Sequence, residues 1–259
     1  MLFLVNKMRV TVNVKSACID PKAVKKRRQE MKIFTKTAAQ TSESMVTGML
    51  LAASGGYMDA YSYLCREHVF ANAQTGNMLL FGIYVSERSW NLAFRYLLPV
   101  LAFTAGIALA DGIRIFYQRN RQLHWRQAAV LLEAGILVLV GFIPEGLSLA
   151  ANGLTSFACG IQVESFRKIH GNGIATTMCI GNLRSATQYM CEYFHTQNTD
   201  SVKRGLLYYG IILSFMLGAI LGNLGVQRMQ ERAILLCPGF LLLVFVLMFS
   251  DREKRMLPV

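Results

Sequence analysis

The sequence has none of the short motifs by which enzymes and ATP-driven pumps are most readily identified. It contains no Gly-x-Ser-x-Gly elbow, no histidine pair with the spacing of a helical zinc motif, no closely spaced aspartate pair and no ATP-binding motif. The six cysteines show no metal-ligand or redox spacing either. An activated nucleophile or a bound metal therefore has no visible source. We expect a protein that is not an enzyme and needs no cofactor, so that any transport would be passive or ion-coupled.

Charged residues are also scarce. They make up 16% of the chain, against 53% for hydrophobic residues, and the mean hydropathy is +0.36. This is too apolar for one soluble domain of 259 residues, and several runs match the roughly 20 apolar residues that a membrane-spanning helix needs. We predict an all-α, polytopic membrane protein. Its spans are expected at 45–64, 96–116, 128–143, 147–166, 206–226 and 233–249, and two shorter apolar runs remain at 69–85 and 174–190.

Positive charge is concentrated at the start of the chain. The first 44 residues carry ten Lys or Arg and three Asp or Glu. Basic residues ahead of a first span favour a cytoplasmic position and contact with anionic lipid, which we prefer to a nucleic-acid role for the basic run at 25–28. We expect 1–44 to be a disordered cytoplasmic tail, 45–249 the membrane domain and 250–259 a cytoplasmic tail. No secretory cleavage pattern occurs, and Met1, Met31 and Met45 are all candidate starts.

The two shorter runs indicate an internal duplication. Gly181-Asn182 in the second run repeats Gly76-Asn77 in the first at an offset of 105. At an offset of 112 the following spans align as well, with Gly106 on Gly218. Both glycines stand four residues before another small residue, a pattern that predicts close helix packing. Each half therefore consists of a span, a short polar-headed segment and two further spans.

The number of spans depends on whether the short segments cross the membrane. Cytoplasmic loops are enriched in Lys and Arg. Without the N-terminal tail, six spans put ten such residues inside and five outside, whereas eight spans put seven inside and eight outside. We favour six, as a 3+3 inverted repeat of 45–143 and 147–249 with two re-entrant half-helix segments. The alternative is eight spans in parallel halves.

The stretch FANAQTGNMLLFG, Phe70 to Gly82, is the first of these segments. Non-helical backbone at membrane depth survives only where it is buried in protein or lines a wet cavity. We predict an extended descent over 70–74 and a half-helix that starts at Thr75-Gly76-Asn77, with Thr75 as its cap. Its free amides would point at the membrane centre with partial positive charge. The second half-helix would start at 180–182 and enter from the opposite face.

A family resemblance rests on these stretches. GGYMDAYSYL followed by VFANAQTGNMLLFGI resembles the signature of the YoaK-like family, and GIQVESFRKIHGNGIATTMCIGNLRSAT resembles its matching second-half region. The resemblance covers roughly 46–249. It implies a small bacterial inner-membrane protein, loosely described as a permease, with no established substrate. Ile180 stands where the family often has threonine, which argues against two equivalent threonine caps.

Two acidic residues of the predicted spans are related by the repeat. Asp59 is in the first span, and the offset of 105 makes Glu164 its counterpart. A charge at membrane depth costs about 2.5–3.5 kcal/mol on insertion scales, so Asp59 should face the bundle or a cavity. Asp59 is either a cation or proton site, or a structural or interfacial group. For Glu164 we favour a salt bridge with Arg167 or Lys168, which follow it.

Two further charges stand apart from this pair. Arg184 follows the second Gly-Asn by less than one helical turn, beside a helix start, where both features favour an anion. The alternative is a bond to Asp59, Glu164 or a backbone carbonyl. Glu133 lies near the start of the third span, and it is either functional or directed at the cytoplasmic headgroups.

The function expected from these features is transport or channelling of a small solute. Acids suggest cations, whereas Arg184 and the half-helix starts suggest anions, and a neutral polar solute satisfies both. The alternative is a structural, regulatory or lipid-interacting membrane protein. Partners would be membrane lipids, the solute or ion and a second copy in a homo-oligomer, but not nucleic acid. The predicted pore-lining residues are Asp59, Asn72, Gln74, Thr75, Gly76, Asn77, Glu164, Thr177, Gly181, Asn182 and Arg184.

Overall fold

The structure is a computed structural model, and it describes residues 44–118, 125–169 and 172–256. These residues fall in one compact unit that covers Gln40–Val259. The described part is helical apart from one short hairpin, so the predicted all-α class is confirmed. The predicted tail at 1–44 lies outside the described residues, except for Ser44.

Eight α-helices form the described part of the chain. They are α1 (Met45–Cys65), α2 (Gln74–Ser86), α3 (Trp90–Gln118), α4 (Trp125–Val140), α5 (Ser148–Ser165), α6 (Cys179–Thr196), α7 (Thr199–Met229) and α8 (Cys237–Met256). Two 3-10 segments, Glu145–Leu147 and Gln230–Leu236, precede α5 and α8, and the strands β1 (Lys168–Ile169) and β2 (Asn172–Gly173) form an antiparallel hairpin. The six predicted spans correspond to α1, α3, α4, α5, α7 and α8, and the two short runs correspond to α2 and α6. The last helix continues to Met256, beyond its predicted end at 249.

Helices long and apolar enough to cross a membrane are present. By length and hydropathy, two helical stretches of the described residues meet this test, Trp90–Phe116 and Thr199–Met248. Large apolar side chains on α3 and α7 are exposed, among them Leu101 and Leu213, and such apolar surface is typical of contact with a membrane or a partner. α4 is shorter, with 16 residues, and α1 and α5 carry more polar residues.

The helices α1 and α5 form the interior of the bundle. Most of their residues are buried, including polar side chains such as Ser54, Asn152 and Gln162. A polar residue is tolerated there because it can bond to a neighbouring helix and not to lipid. This explains how the buried faces of α1 and α5 accommodate polar residues.

The helix contacts occur in matched pairs. α1 packs along α7, and α3 packs along α5. Likewise α2 packs on α3 and α6 on α7, while α4 packs on α5 and α1 on α8. The remaining large contact joins α4 to α8. Each pairing between a helix of 45–140 and one of 148–256 thus has a counterpart with the two segments exchanged.

Glycines allow the closest of these contacts. A Cβ at Gly106 would overlap the Phe157 carbonyl, and one at Gly218 would overlap the Ala53 carbonyl. The close packing predicted for these two glycines is therefore confirmed. In the two crossings the α1 residue Ala53 and the α5 residue Phe157 take the same place, at a sequence separation of 104.

This separation corrects the predicted alignment of the first spans. At 104, Asp59 corresponds to Val163 and not to Glu164, so the predicted equivalence of the two acids is wrong. The offset of 105 holds only at the half-helices, because the chain from Phe157 to Gly181 is one residue longer than the chain from Ala53 to Gly76.

Candidate functional site

One face of α1 receives the starts of both half-helices. Leu51, Gly55 and Asp59 are spaced four residues apart, so they lie above one another on the same side of the helix. All three residues are buried, and Gly55, which has no side chain, leaves space between the other two. Gly55 is the central residue of α1, which runs from Met45 to Cys65. This face is therefore centred on the midpoint of α1.

The chain before α2 is bonded to this face. The backbone N–H of Asn72 donates to Asp59 Oδ1 at 2.7 Å, and Asn72 Nδ2 donates to the Gly55 carbonyl at 3.0 Å. The backbone N–H groups of Ala71 and Ala73 also interact with the Asp59 carboxylate. A carboxylate is stabilised at a helix start by its free N–H groups and partial positive charge. Asp59 thus serves α2 as an acceptor supplied by another helix.

The predicted cap of α2 is wrong. The helix begins at Gln74, and its N-cap is Ala73, which makes no side-chain cap bond. Thr75 lies within the first turn and is exposed. The physical reason is that Asp59 and Asn72 already hold the preceding backbone, so no capping hydroxyl is needed.

Asn77 and Gln74 close the loop ahead of α2. Asn77 Nδ2 donates to the Phe70 carbonyl at 2.8 Å, and Asn77 Oδ1 accepts the Phe70 N–H at 3.1 Å. Asn77 Nδ2 also donates to Gln74 Oε1 at 2.9 Å. Gln74 Nε2 in turn donates to the Ala71 carbonyl at 2.7 Å and to Ser156 Oγ on α5 at 3.4 Å. These side chains hold the loop in place and tie it to α5.

The chain before α6 reaches the same face of α1. Gly55 faces Thr177, because a Cβ added to that glycine would meet the threonine side chain. One turn earlier, Gln162 Nε2 donates to the Leu51 carbonyl at 2.9 Å and to Thr176 Oγ1 at 3.2 Å. Asn182 Nδ2 donates to the Ala175 carbonyl at 2.6 Å, as Asn77 does to Phe70. The two half-helix starts therefore meet beside the middle of α1.

Several oxygen atoms at this meeting point lack a hydrogen-bond partner. Asn72 Oδ1, Thr177 Oγ1 and Gln162 Oε1 are buried and unbonded in the part of the chain that the structure describes. Buried polar groups are usually satisfied, so each exception needs an explanation. Carbonyl, amide and hydroxyl oxygens accept bonds from polar solutes and ligate hard cations. The Gly55 region is thus chemically suited to a small polar solute or a cation.

The remaining predicted site residues do not gather there. Glu164 lies near the end of α5, with Oε1 at 3.4 Å from Arg167 and 3.6 Å from Arg114 on α3. The predicted salt bridge to Arg167 is confirmed, and Arg114 adds a second partner.

Gly181 and Arg184 are exposed on α6. Arg184 forms an ion pair neither with Asp59 nor with Glu164 within the described residues. Gly76 is half-buried, and a Cβ there would meet the Phe70 ring. Glycine is therefore needed at position 76 because a larger residue would collide with Phe70 in the loop.

The half-helix α2 ends close to the end of α1. Tyr84 stacks on Tyr96 with ring centroids 5.6 Å apart, and Arg95 beside it forms an ion pair with Glu67 at 3.0 Å. Glu67 directly follows the C-cap of α1. With 13 residues, α2 is about 20 Å long at 1.5 Å per residue. It starts beside the middle of α1 and returns toward the end from which the loop came.

The second half shows the same return. Tyr189 on α6 stacks on Tyr208 on α7 with ring centroids 5.9 Å apart. Tyr208 Oη donates to the Gly173 carbonyl at 3.1 Å. Gly173 belongs to β2, in the hairpin that follows α5. The α6–α7 pair thus lies against the chain that leaves α5, as the α2–α3 pair lies against the chain that leaves α1.

Sequence reasoning missed one buried charged residue, Arg66, and left the position of a second, Glu133, open. Arg66 donates to the carbonyls of Ile143 at 2.7 Å and Pro144 at 3.1 Å, and to Tyr61 Oη at 2.8 Å. Glu133 is fully buried, which excludes the approach to the headgroups, one of the two interpretations that the sequence left open for it.

A pattern in α4 could have identified Glu133 as buried. Val130, Glu133, Leu137 and Val140 recur at helical spacing and lie on one buried face. An acid in the apolar stripe of a helix is inside the bundle, whatever its distance from the helix end.

Comparisons with known proteins agree with this architecture. The sequence pattern of the family described as "Protein of unknown function (DUF1275)" matches residues 47–247. The UPF0700 transmembrane protein YoaK of Bacillus subtilis (strain 168) is 26% identical over 197 residues, which cover 71% of this chain and 84% of that protein. No solved structure matches significantly. The transmembrane relative, the resemblance to YoaK-like proteins and the apolar helices together make this chain a membrane protein.

Proposed function

The chain belongs to the family described as protein of unknown function DUF1275, and we propose that it is a transporter or channel for a small solute. Its membrane domain would be a 3+3 inverted repeat of six spanning helices with two re-entrant half-helices. It would lie in the bacterial cytoplasmic membrane with both termini in the cytoplasm. Lipids and a second copy of the chain are its expected partners, and no catalytic activity is proposed.

The matched helix contacts support the repeat. An odd number of spans per half turns the second half upside down, and inverted repeats of this kind place solute sites where the two halves meet. The paired contacts of α1 with α7 and of α3 with α5 are what such a two-fold relation requires. Each of α2 and α6 returns toward the side from which its own loop came. This return supports the count of three spans per half.

The observation that carries the proposal is the meeting of Asn72 and Thr177 at Gly55. These residues stand directly ahead of the two half-helices, and each keeps an unbonded, buried oxygen. In membrane proteins, interrupted helices at mid-depth are tolerated where they are buried in protein or line a cavity. A solute that donates hydrogen bonds, or a cation, would satisfy these oxygens.

Charge at this position favours neutral or cationic solutes over anions. The Asp59 carboxylate occupies the place at the start of α2 where an anion would otherwise bind. Arg184, the cation that would favour an anion, is exposed on α6. We therefore propose a neutral polar solute or a monovalent cation, and not an anion, as the permeating species.

Flux through reconstituted protein tests the proposal. Liposomes that contain the purified protein would be mixed with hyperosmotic glycerol, urea or potassium thiocyanate, whose anion crosses lipid unaided, and the swelling rate would be followed by light scattering. We expect faster swelling than in empty liposomes for at least one solute.

The variant Thr177→Val locates the site. Valine keeps the shape and removes only a hydroxyl that bonds to no described group, so the fold should be retained while flux falls. Thr187→Val, exposed on α6, is the matched control. Wild-type rates in Thr177→Val would remove the site from the Gly55 region, and equal rates in protein-free liposomes for every solute would contradict transport.

A lipid-interacting role is the second candidate, and one cavity favours it. A cavity of about 630 Å³ lies between α1, α7 and α8. Its lining is mainly apolar, with Leu221, Leu243 and Phe240, and Arg228 contributes a cation. An acyl chain and an anionic headgroup fit this combination. Retention of anionic phospholipid by the purified protein, lost in Arg228→Gln, together with no flux of any solute, would favour this role.

A further inference from the structure

Glu133 is a buried acid that the proposed solute site does not use. It lies on the inner face of α4, with the side chain completely buried. The helix contacts α5 and α8, and the surrounding residues form an apolar cluster that includes Val130 and Leu241. The acid is thus placed at the contact between the segment before residue 140 and the segment after residue 148.

Neither carboxyl oxygen of Glu133 has a hydrogen-bond partner in the described ranges. The titratable groups that face it are two thiols, Cys159 from α5 and Cys237 from α8. No charged side chain from α3 or from the 3-10 segment Gln230–Leu236 acts on it. Among the described residues, the environment of Glu133 therefore supplies no cation, and no donor is bonded to its carboxyl oxygens.

An ionised carboxylate is strongly disfavoured in such a place. Without a partner, a buried charge loses its hydration and gains nothing in return, so the group takes up a proton and becomes neutral. The neutral acid in turn makes no bond that would stabilise the fold. Glutamine or leucine would fill the same space. The stability of the fold therefore does not explain why this residue is glutamate.

The position of Glu133 connects it to movement between the halves. Leu131-Leu132 and Gly135 match Leu235-Leu236 and Gly239 at a separation of 104, which makes Cys237 the counterpart of Glu133. The two residues face each other across the contact of α4 with α8. In the proposed inverted repeat this contact lies on the two-fold relation between the halves. Alternating access moves one half against the other there, and such movement would open the surroundings of Glu133 to water.

We propose that Glu133 is a proton-binding site, loaded in the conformation described and emptied when the α4–α8 contact opens. Membrane acids that alternate between a dry and a wet setting are the usual means by which proton gradients drive solutes. The coupling of this proton to a solute rests on the function proposed above, whereas the binding of the proton itself does not.

A hydrophobic carbodiimide tests the site in the purified full-length protein. The reagent reacts with a protonated carboxyl in an apolar setting. The carboxyl oxygen adds to the central carbon, the carboxyl proton passes to a reagent nitrogen, and the O-acylisourea then rearranges to a stable N-acylurea. Peptide mass spectrometry identifies the modified residue, and intact reagent is quantified at each pH.

We expect labelling of Glu133 in acidic buffer, progressive loss of labelling as the pH rises, and recovery when the pH is lowered again. Glu133→Gln should lose the modification, and Glu133→Asp should retain it. Absence of labelling at Glu133, or labelling that does not change with pH, would overturn the proton site. Since the modified residue is identified in the wild-type protein, this result does not depend on the folding of a variant.

The coupling is tested separately with a solute that swells the liposomes. An inward proton gradient should accelerate its uptake by the wild type and leave Glu133→Gln unaffected. Flux that ignores both the gradient and the variant would overturn the coupling and leave the transport proposal intact. Absence of flux for every solute would contradict the transport proposal, and the carbodiimide result would still decide the proton site.

Discussion

The side-chain amide of Asn77 bonds to both backbone groups of Phe70, seven residues before it, at 2.8 Å and 3.1 Å. Asn182 repeats half of this arrangement in the second segment, where its Nδ2 donates to the Ala175 carbonyl at 2.6 Å. In both cases an asparagine near the start of the helix holds the loop that leads into it. The asparagines are thus primarily anchors of the half-helices.

Removal of these anchors should destabilise the protein to different degrees. Asn77→Ala leaves the Phe70 N–H and carbonyl without their partner, at about 1–3 kcal/mol for each unsatisfied buried group. Asn182→Ala removes a single bond and should cost less. Thermal unfolding of the purified variants in detergent checks the order, with Asn198→Ala, at an exposed helix cap, as the control. A smaller effect for Asn77→Ala than for Asn182→Ala would contradict the two hydrogen bonds between Asn77 and the Phe70 backbone.

Replacement of Asp59 tests its role as acceptor for the start of α2. Asp59→Ala removes the acceptor of the Asn72 N–H and should destabilise the fold by about 1.5–3 kcal/mol, the range for bonds to charged groups. Asp59→Asn keeps an acceptor oxygen and should cost less. Asp200→Asn, at an exposed position, is the control in the same unfolding measurement. Equal stability of all three variants would show that Asp59 does not hold the loop.

The helices themselves were predictable from the sequence, because apolar runs and small residues act locally. The expected packing of Gly106 and Gly218 follows from such a local pattern, and the salt bridge of Glu164 with Arg167 joins residues one turn apart. These interactions need no knowledge of which helices are neighbours.

The tertiary partners were not predictable in this way. Thr75 has the chemistry of a cap, but Asp59, from another helix, supplies the acceptor that the start of α2 needs. The alignment of the two halves failed by one residue because sparse identities cannot locate a single insertion, whereas the close contacts of Ala53 and Phe157 do. The burial of Arg66 was not predictable, because only the fold brings it to the carbonyls beyond α4.

Glycine substitution tests the close helix crossings. A Cβ at Gly218 would overlap the backbone of Ala53, so Gly218→Ala must push α7 away from α1. We expect a loss of about 1–3 kcal/mol in stability, as for other overpacked sites. Gly112→Ala, on α3 with open space around the new methyl group, should be neutral or stabilising by up to about 1 kcal/mol. The comparison is made by thermal unfolding in detergent, and an unchanged midpoint for Gly218→Ala would contradict the crossing.

Topology can be tested because the chain offers exposed positions before the loop that leads into α2 and at the end of α2. Re-entry predicts that His68, just after α1, and Ser86, at the end of α2, lie on the same side of the membrane. Single cysteines at these two positions, in a background without the native cysteines, should react alike with a membrane-impermeant thiol reagent in intact cells. With a cytoplasmic N-terminus, both should be labelled from outside.

The physical basis of this expectation is the ion pair of Glu67 with Arg95, which holds the loop after α1 against the start of α3. A crossing α2 would have to separate these residues by the full hydrophobic thickness, about 30 Å, while α2 is only about 20 Å long. Asn91→Cys should therefore also follow His68→Cys, and Gln122→Cys, in the segment between α3 and α4, should react only after lysis. Labelling of His68→Cys from outside with protection of Ser86→Cys and Asn91→Cys would establish a crossing segment, and the inverted repeat would then have to be abandoned in favour of eight spans in parallel halves.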